Sequence, residues 1–186
     1  MSAFQFTRDN FMPVEILQST EVYKGRVFSV HRDRVRLPNG VITPLDILHH
    51  QGAVVIVPVD ADGHLVMIRQ YRHAARRDLL EFPAGGLEPG EDPAACALRE
   101  LREEIGMGAT SIEPLGGFFL APGYSTEYLH VFRASGLYPA PLSGDEDELI
   151  ETVTFSSPEA LKMAASGEIE DAKTLASLLL IHQGTA

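Results

Sequence analysis

Tryptophan is missing from this 186-residue chain, and cysteine occurs once, at Cys96. A single thiol excludes an internal disulfide and leaves too few sulfurs for a cysteine-based zinc site. Its Ala-Ala-Cys-Ala-Leu setting reads as a packed helix face, so Cys96 is expected in the core and not as a nucleophile. Basic residues are also scarce, 15 against 26 acidic ones, for a formal net charge of -11. Such a chain repels a long polyanion, which argues against nucleic acid as a partner. No apolar run approaches the roughly 20 residues that cross a bilayer; the longest, Ala53 to Val59, suits a buried strand. The N-terminal residues lack the basic-then-apolar order of an export signal, so the expectation is a cytoplasmic protein with no membrane partner. Repeats and long linkers are lacking as well, and the length suits one domain with a small extension.

What is present is mostly strand pattern. Met1 to Gln18 are weakly patterned, and β character begins at Glu21. Val27 to Leu37 alternates, Pro38-Asn39-Gly40 is turn chemistry, and Val41 to His49 returns, which predicts a hairpin. A second hairpin is expected from Ala53 to Val59 and His64 to Arg69 around Asp60-Ala61-Asp62-Gly63. Asp78 to Phe82 enters a Pro83-Ala84-Gly85-Gly86 turn. Asp92 to Ile105 has helical apolar spacing, with Asp92-Pro93 as cap and first turn and Gly106 as the stop. Further strands are expected at Leu115 to Leu120, Glu127 to Ala134 and Leu149 to Phe155, then helices at Pro158 to Ser166 and Asp171 to His182. This order predicts an α+β or α/β/α sandwich, with residues 1–50 as an N-terminal antiparallel β extension and 51–186 as the main domain.

The chemistry concentrates between Gly85 and Met107. On a helix, Glu100 and Glu104 share a face and Glu103 lies beside them. Three neighbouring carboxylates repel one another unless hard divalent cations sit between them, so metal binding is the economical reading. Glu91, just before the helix, can reach Arg99 about two turns later and tie loop to helix. Gly85 and Gly86 would let the backbone turn tightly and bring the Ala84 carbonyl toward a metal. Seven histidines, His49, His50, His73 and His130 among them, show no metal-ligand spacing.

The spacing Gly85, Glu91, Arg99-Glu100-Leu101, Glu103-Glu104, Gly106-Met107 resembles the Nudix box without a departure. Its seven fixed identities coincide by chance on the order of 10⁻⁸ per starting position. The resemblance implies an α/β/α sandwich that hydrolyses a nucleoside diphosphate linked to another moiety. It further implies Mg²⁺ or Mn²⁺ held by Glu100, Glu103, Glu104 and the Ala84 carbonyl, with Gly85, Glu91, Arg99 and Gly106 shaping the motif.

Beyond the box, the chain is similar to the ADP-ribose pyrophosphatase branch from about Val22 to the last helix. Pro122 lies fifteen residues after the last box position, in Ala121-Pro122-Gly123-Tyr124-Ser125-Thr126-Glu127. The likeness implies a substrate loop with Gly123, and with Glu127 near the diphosphate and terminal ribose. Arg69-Gln70-Tyr71-Arg72 implies a phosphate contact from Arg72, whose planar fork suits that task. Gly25-Arg26-Val27-Phe28 implies a strand crossing to a second subunit, with Phe28 and Arg26 at the adenine, hence a homodimer. The acidic loop Ser143 to Glu148 implies a water-activating glutamate, Glu148 by register, with Glu146 or Glu103 as alternatives. The expected substrate is ADP-ribose, with GDP-mannose or ADP-glucose as alternatives. A Nudix module that binds a nucleotide without cleaving it, or a purely structural protein, is the contrasting class.

Overall fold

The computed structural model of the chain describes residues 13–144 and 149–183. The chain divides into two compact units: one is Met1–His50 with Gly123–Thr126, the other Gln51–Pro122 with Glu127–Ala186.

The first unit is a three-stranded antiparallel sheet in the order β1 (Glu15–Lys24), β2 (Phe28–Arg36), β3 (Ile42–His50). The hairpin between β2 and β3 forms at Pro38-Asn39-Gly40, as the turn chemistry predicts. Gly40 takes φ +85°, and the Asn39 side chain accepts the Val41 N–H at 3.1 Å. Strand β1 starts earlier than the sequence pattern suggests. Along it every residue but Leu17 is exposed, so no buried face writes an alternation into the sequence. Its ladder to β2 defines it instead, with slips between Ile16 and Gln18 and between Glu21 and Tyr23. Gly123–Thr126 joins this unit through backbone pairing: Leu48 donates to the Tyr124 carbonyl at 2.7 Å and Thr126 donates back to Leu48 at 2.9 Å.

In the second unit, β4 (Ala53–Pro58) is buried at every residue and sits at the middle of the mixed sheet β7-β4-β9-β8. The partners are β7 (Ala84–Gly86), β8 (Met107–Phe119) and β9 (Tyr128–Pro139), with β4 and β9 parallel and the other pairings antiparallel. A second sheet, β10-β5-β6, is antiparallel and built from β5 (Leu65–Arg72), β6 (Arg77–Glu81) and β10 (Ile150–Phe155).

Alternation along β4 separates two apolar layers. Val54 and Ile56 pack with Cys96, Ala97 and Leu101 of helix α1 (Pro93–Glu104). Val55 and Val57 pack with Met67, Phe82, Val131, and with Ala160 and Leu178 of helices α2 (Ser157–Ser166) and α3 (Ala172–Gln183). Helices thus cover both faces of a mixed sheet, the expected α/β/α sandwich.

Helix α1 begins where the sequence signals it. Asp92 accepts the N–H groups of Ala94 and Ala95 at 3.0 and 3.1 Å, and Gly106 ends the run at φ +69°. Strands β8 and β9 run longer than expected, because the chain passes through glycine and proline instead of stopping. A bulge between Pro114 and Gly116 absorbs the irregularity in β8, with Gly116 at φ +145° and Gly136 of β9 at +63°.

Candidate active site

The box residues converge where β7 meets α1. Gly85 and Gly86 are strand residues paired with Val54 and Ala53, which corrects the expectation of a tight turn. Neither has the left-handed backbone that demands glycine. Gly85 is needed for a different reason: a Cβ there would lie 1.8 Å from Glu100 Cδ and 2.0 and 2.3 Å from its carboxylate oxygens. The strand therefore offers bare backbone to the Glu100 carboxylate. From the same strand the Ala84 N–H donates to Glu104 Oε2 at 3.0 Å, and Glu104 is only 9% exposed.

Arg99 organises the carboxylates between. It forks Glu91 through Nε and Nη2 at 3.0 and 2.9 Å, and its Nη1 donates to Glu100 at 2.6 Å and Glu103 at 3.0 Å. Glu91, Glu100 and Glu103 thus share one guanidinium, which partly relieves the repulsion between Glu100 and Glu103 inferred from their spacing. The Arg99 hydrogen bonds pull the Glu91 carboxyl down to about 2. Those same bonds push the guanidinium pKa up. Burial pushes the Cys96 thiol up to about 12, so Cys96 stays a protonated core residue. What remains is a partly buried, net acidic surface of hard oxygen donors around a spot where a glycine leaves room. A hard divalent cation fits that donor set.

Arg72, at the end of β5, forks Glu81 through Nε and Nη2 at 2.9 and 2.7 Å. It lies close enough to Glu104 to feel its charge. Burial pushes the Glu81 carboxyl up, but the Arg72 hydrogen bond and the Lys173 charge outweigh it and hold the carboxyl below its ordinary range. Glu81, Lys173 and Asp171 were not singled out by sequence reasoning. The one available signal was an acid set inside the apolar run Leu79-Leu80-Glu81-Phe82.

The other expected site residues stand as follows. Glu127 is half-buried beside β9, and its carbonyl accepts the Leu120 N–H at 3.1 Å. Arg26, Phe28 and Gly123 belong to the N-terminal unit. Phe28 is 39% exposed, so it is not a core residue, and it neighbours Tyr23 with ring centroids 6.1 Å apart. Gly123 faces open space. Glu146 and Glu148 lie outside the described residues.

Geometry also gathers Asp60, Asp62 and His64, whose ligand atoms lie within 4.8 Å of one another; spacing alone had passed over the histidine. Asp60 Oδ1 accepts the N–H groups of Asp62 and His64 at 2.9 and 2.8 Å. That group therefore closes the β4–β5 turn, at the opposite end of β4 from the box.

These features define a Nudix hydrolase. The NUDIX domain model matches residues 49–178, and the chain belongs to that family, whose hydrolases generally require a divalent metal ion. Residues 14–44 match a second family model, the nucleoside diphosphate sugar hydrolase N-terminal domain. Among relatives, the chain is 38% identical over 156 residues to the ADP-ribose pyrophosphatase of Bacillus subtilis (strain 168), covering 83% of this chain and 84% of that protein. It is 37% identical over 174 residues to the ADP-ribose pyrophosphatase of Mycobacterium tuberculosis, covering 92% and 84%. A crystal structure of an ADP compounds hydrolase superposes with a TM-score of 0.82 at 29% identity, covering 92% of this chain and 94% of that one.

Proposed function

We propose that the protein hydrolyses the diphosphate of ADP-ribose to AMP and ribose 5-phosphate, as a cytoplasmic homodimer. The observation that carries this reading is the box itself, with Glu100 lodged against Gly85 and Glu104 anchored on the Ala84 N–H. Glu100, Glu103, Glu104 and the Ala84 carbonyl would hold Mg²⁺ or Mn²⁺, which when bound supplies positive charge to the diphosphate and acidity to water. Arg99 keeps two of these carboxylates aimed by its ion pairs. By the family resemblance, Arg72 would offer its remaining N–H groups to a phosphate of the substrate, with Glu127 and Gly123 toward the terminal ribose, while Phe28 and Arg26 would reach the adenine from a second subunit. Glu148, or Glu146, takes the proton as water oxygen bonds to phosphorus and the bridging P–O bond breaks.

Support for the dimer comes from the N-terminal sheet, where Ile16, Val22, Tyr23, Phe28 and Leu45 are exposed apolar side chains that a second subunit would cover. Among the described residues no helix is long and apolar enough to cross a membrane. The second family model names nucleoside diphosphate sugars broadly, so GDP-mannose and ADP-glucose belong in the same assay. A binding module without activity would sit poorly with a box that keeps every carboxylate.

The test is phosphate release, through a coupled phosphatase, from a panel of nucleotide sugars with Mg²⁺ and Mn²⁺. Glu104→Gln is expected to abolish activity and metal-induced thermal stabilisation while keeping the Ala84 hydrogen bond. Glu148→Gln is expected to lower kcat by orders of magnitude with binding mostly intact. No nucleoside monophosphate from any substrate would end the proposal, and unchanged kcat in the second variant would move the base to Glu146 or the box.

A further inference from the structure

The buried charges around Arg72 extend beyond the box. Glu81 is 1% exposed and uses both oxygens on Arg72. Lys173, from the first turn of α3, also contacts Glu81 and donates to Asp171 Oδ2 at 3.0 Å. Asp171 Oδ2 accepts the Thr174 N–H at 3.0 Å and its hydroxyl at 2.6 Å, so the same carboxylate that pairs with Lys173 also caps the helix start. The Thr174 hydroxyl oxygen in turn accepts the Phe82 N–H at 2.9 Å. Helix α3 is thereby fastened to the Glu81-Phe82 segment that runs directly into Pro83 and Ala84.

Two consequences follow from this arrangement. Glu81 occupies the Nε/Nη2 edge of the guanidinium, so Nη1 and the outer hydrogen of Nη2 remain for another planar or tetrahedral oxyanion. Arg72, Glu81 and Asp171 alone would sum to one negative charge, which repels a phosphate. Lys173, paired with both acids, brings the four to neutral in a partly buried setting where Coulomb interactions are strong.

We propose that Lys173 and Glu81 are positioning residues for substrate phosphate. Glu81 fixes the plane of Arg72, and Lys173 offsets the Glu81 charge so that Arg72 still presents positive charge to the ligand. The proposal rests on the functional reading above, in which Arg72 meets a phosphate.

The experiment compares full-length wild type, Lys173→Met, Lys173→Arg and the double variant Glu81→Gln/Lys173→Met. Steady-state kinetics on ADP-ribose with Mg²⁺ is paired with calorimetric binding of the non-hydrolysable α,β-methylene ADP-ribose. Lys173→Met is expected to raise KM and the analogue Kd about tenfold with kcat within about threefold, since phosphate binding persists from ground state to transition state. Lys173→Arg is expected to bring both back to within about threefold of wild type, because the charge returns. If Lys173→Met does not fold, the double variant carries the test: it keeps the charge balance but loses one of the two carboxylate oxygens that hold Arg72, so KM and Kd are expected to rise about threefold. Unchanged KM and Kd in folded Lys173→Met or in the folded double variant, or a loss confined to Tm, overturns the proposal. A wild type that cleaves ADP-ribose beside variants equal to it defeats only the positioning roles. If wild type cleaves another nucleotide sugar, the comparison is made on that sugar; if it cleaves none, the functional reading fails and this proposal with it.

Discussion

Replacing Gly85 by alanine separates folding from catalysis. The new Cβ would stand 1.8 Å from Glu100 Cδ, whereas real contacts of this kind are almost never under 3.0 Å. The carboxylate must therefore retreat by more than an ångström. It can do so, because the clashing atoms are the far end of a flexible side chain. The cost to stability is the Arg99–Glu100 hydrogen bond, about 1 kcal/mol. Against that, Gly85 lies outside the left-handed region, so alanine fits the backbone and removes about 0.4–1 kcal/mol of unfolded-state freedom. Net stability should change by less than about 1 kcal/mol. Activity should not survive as well, since misplacing a reacting-centre group by about 1 Å costs roughly a hundredfold. Urea melts would check the first expectation, and kcat/KM for ADP-ribose with Mn²⁺ the second. The Tm increment on adding Mn²⁺ should shrink in parallel. Full activity in Gly85→Ala would refute the claim that Glu100 must lie against bare backbone; gross unfolding would refute the claim that only the side chain has to move.

Two further expectations concern the supports of the site. Thr174→Val keeps shape but leaves the Phe82 N–H without its acceptor at a fully buried position; it should cost about 1–3 kcal/mol by denaturant melts, and no loss would mean the bond contributes nothing. The Glu91 carboxyl is drawn down to about 2 from an ordinary 4.5. Its ionised form therefore stabilises the fold above pH 4.5, and this contribution drains away as pH falls toward 2. The shift caps the effect at about 3 kcal/mol, and solvent screening brings it to about 1–2. The stability gap between wild type and Glu91→Gln should narrow by that amount between pH 5 and about 2.5; a constant gap would rule the linkage out.

Much of this was legible in residue order where local physics decides. Asp92-Pro93 and Gly106 mark both ends of α1, and the all-apolar run of β4 announces a central strand. The gathering of Glu100, Glu103 and Glu104 beside β7 and Arg99 follows from their helical spacing. Strand β1 was largely illegible because it buries almost nothing; its residues carry no alternation to detect. The need for Gly85 was visible, but its cause was not, since that cause is a side chain fifteen residues away folding back on the strand. Lys173 and Glu81 lie 92 residues apart, and nothing in either neighbourhood advertises the other. Long-range ion pairs are set by topology, which single-sequence patterns express only indirectly.

The N-terminal sheet owns a piece of chain from deep within the rest of the protein. Thr126 lies 76 residues beyond His50, yet its N–H ends on β3, as does the carbonyl of Tyr124. A gene shortened to start at Gln51 would thus strip hydrogen-bond partners from a loop that the truncation never touches. The sheet cannot be treated as a detachable cassette, and transplanting it onto another enzyme would require grafting two separated stretches at once.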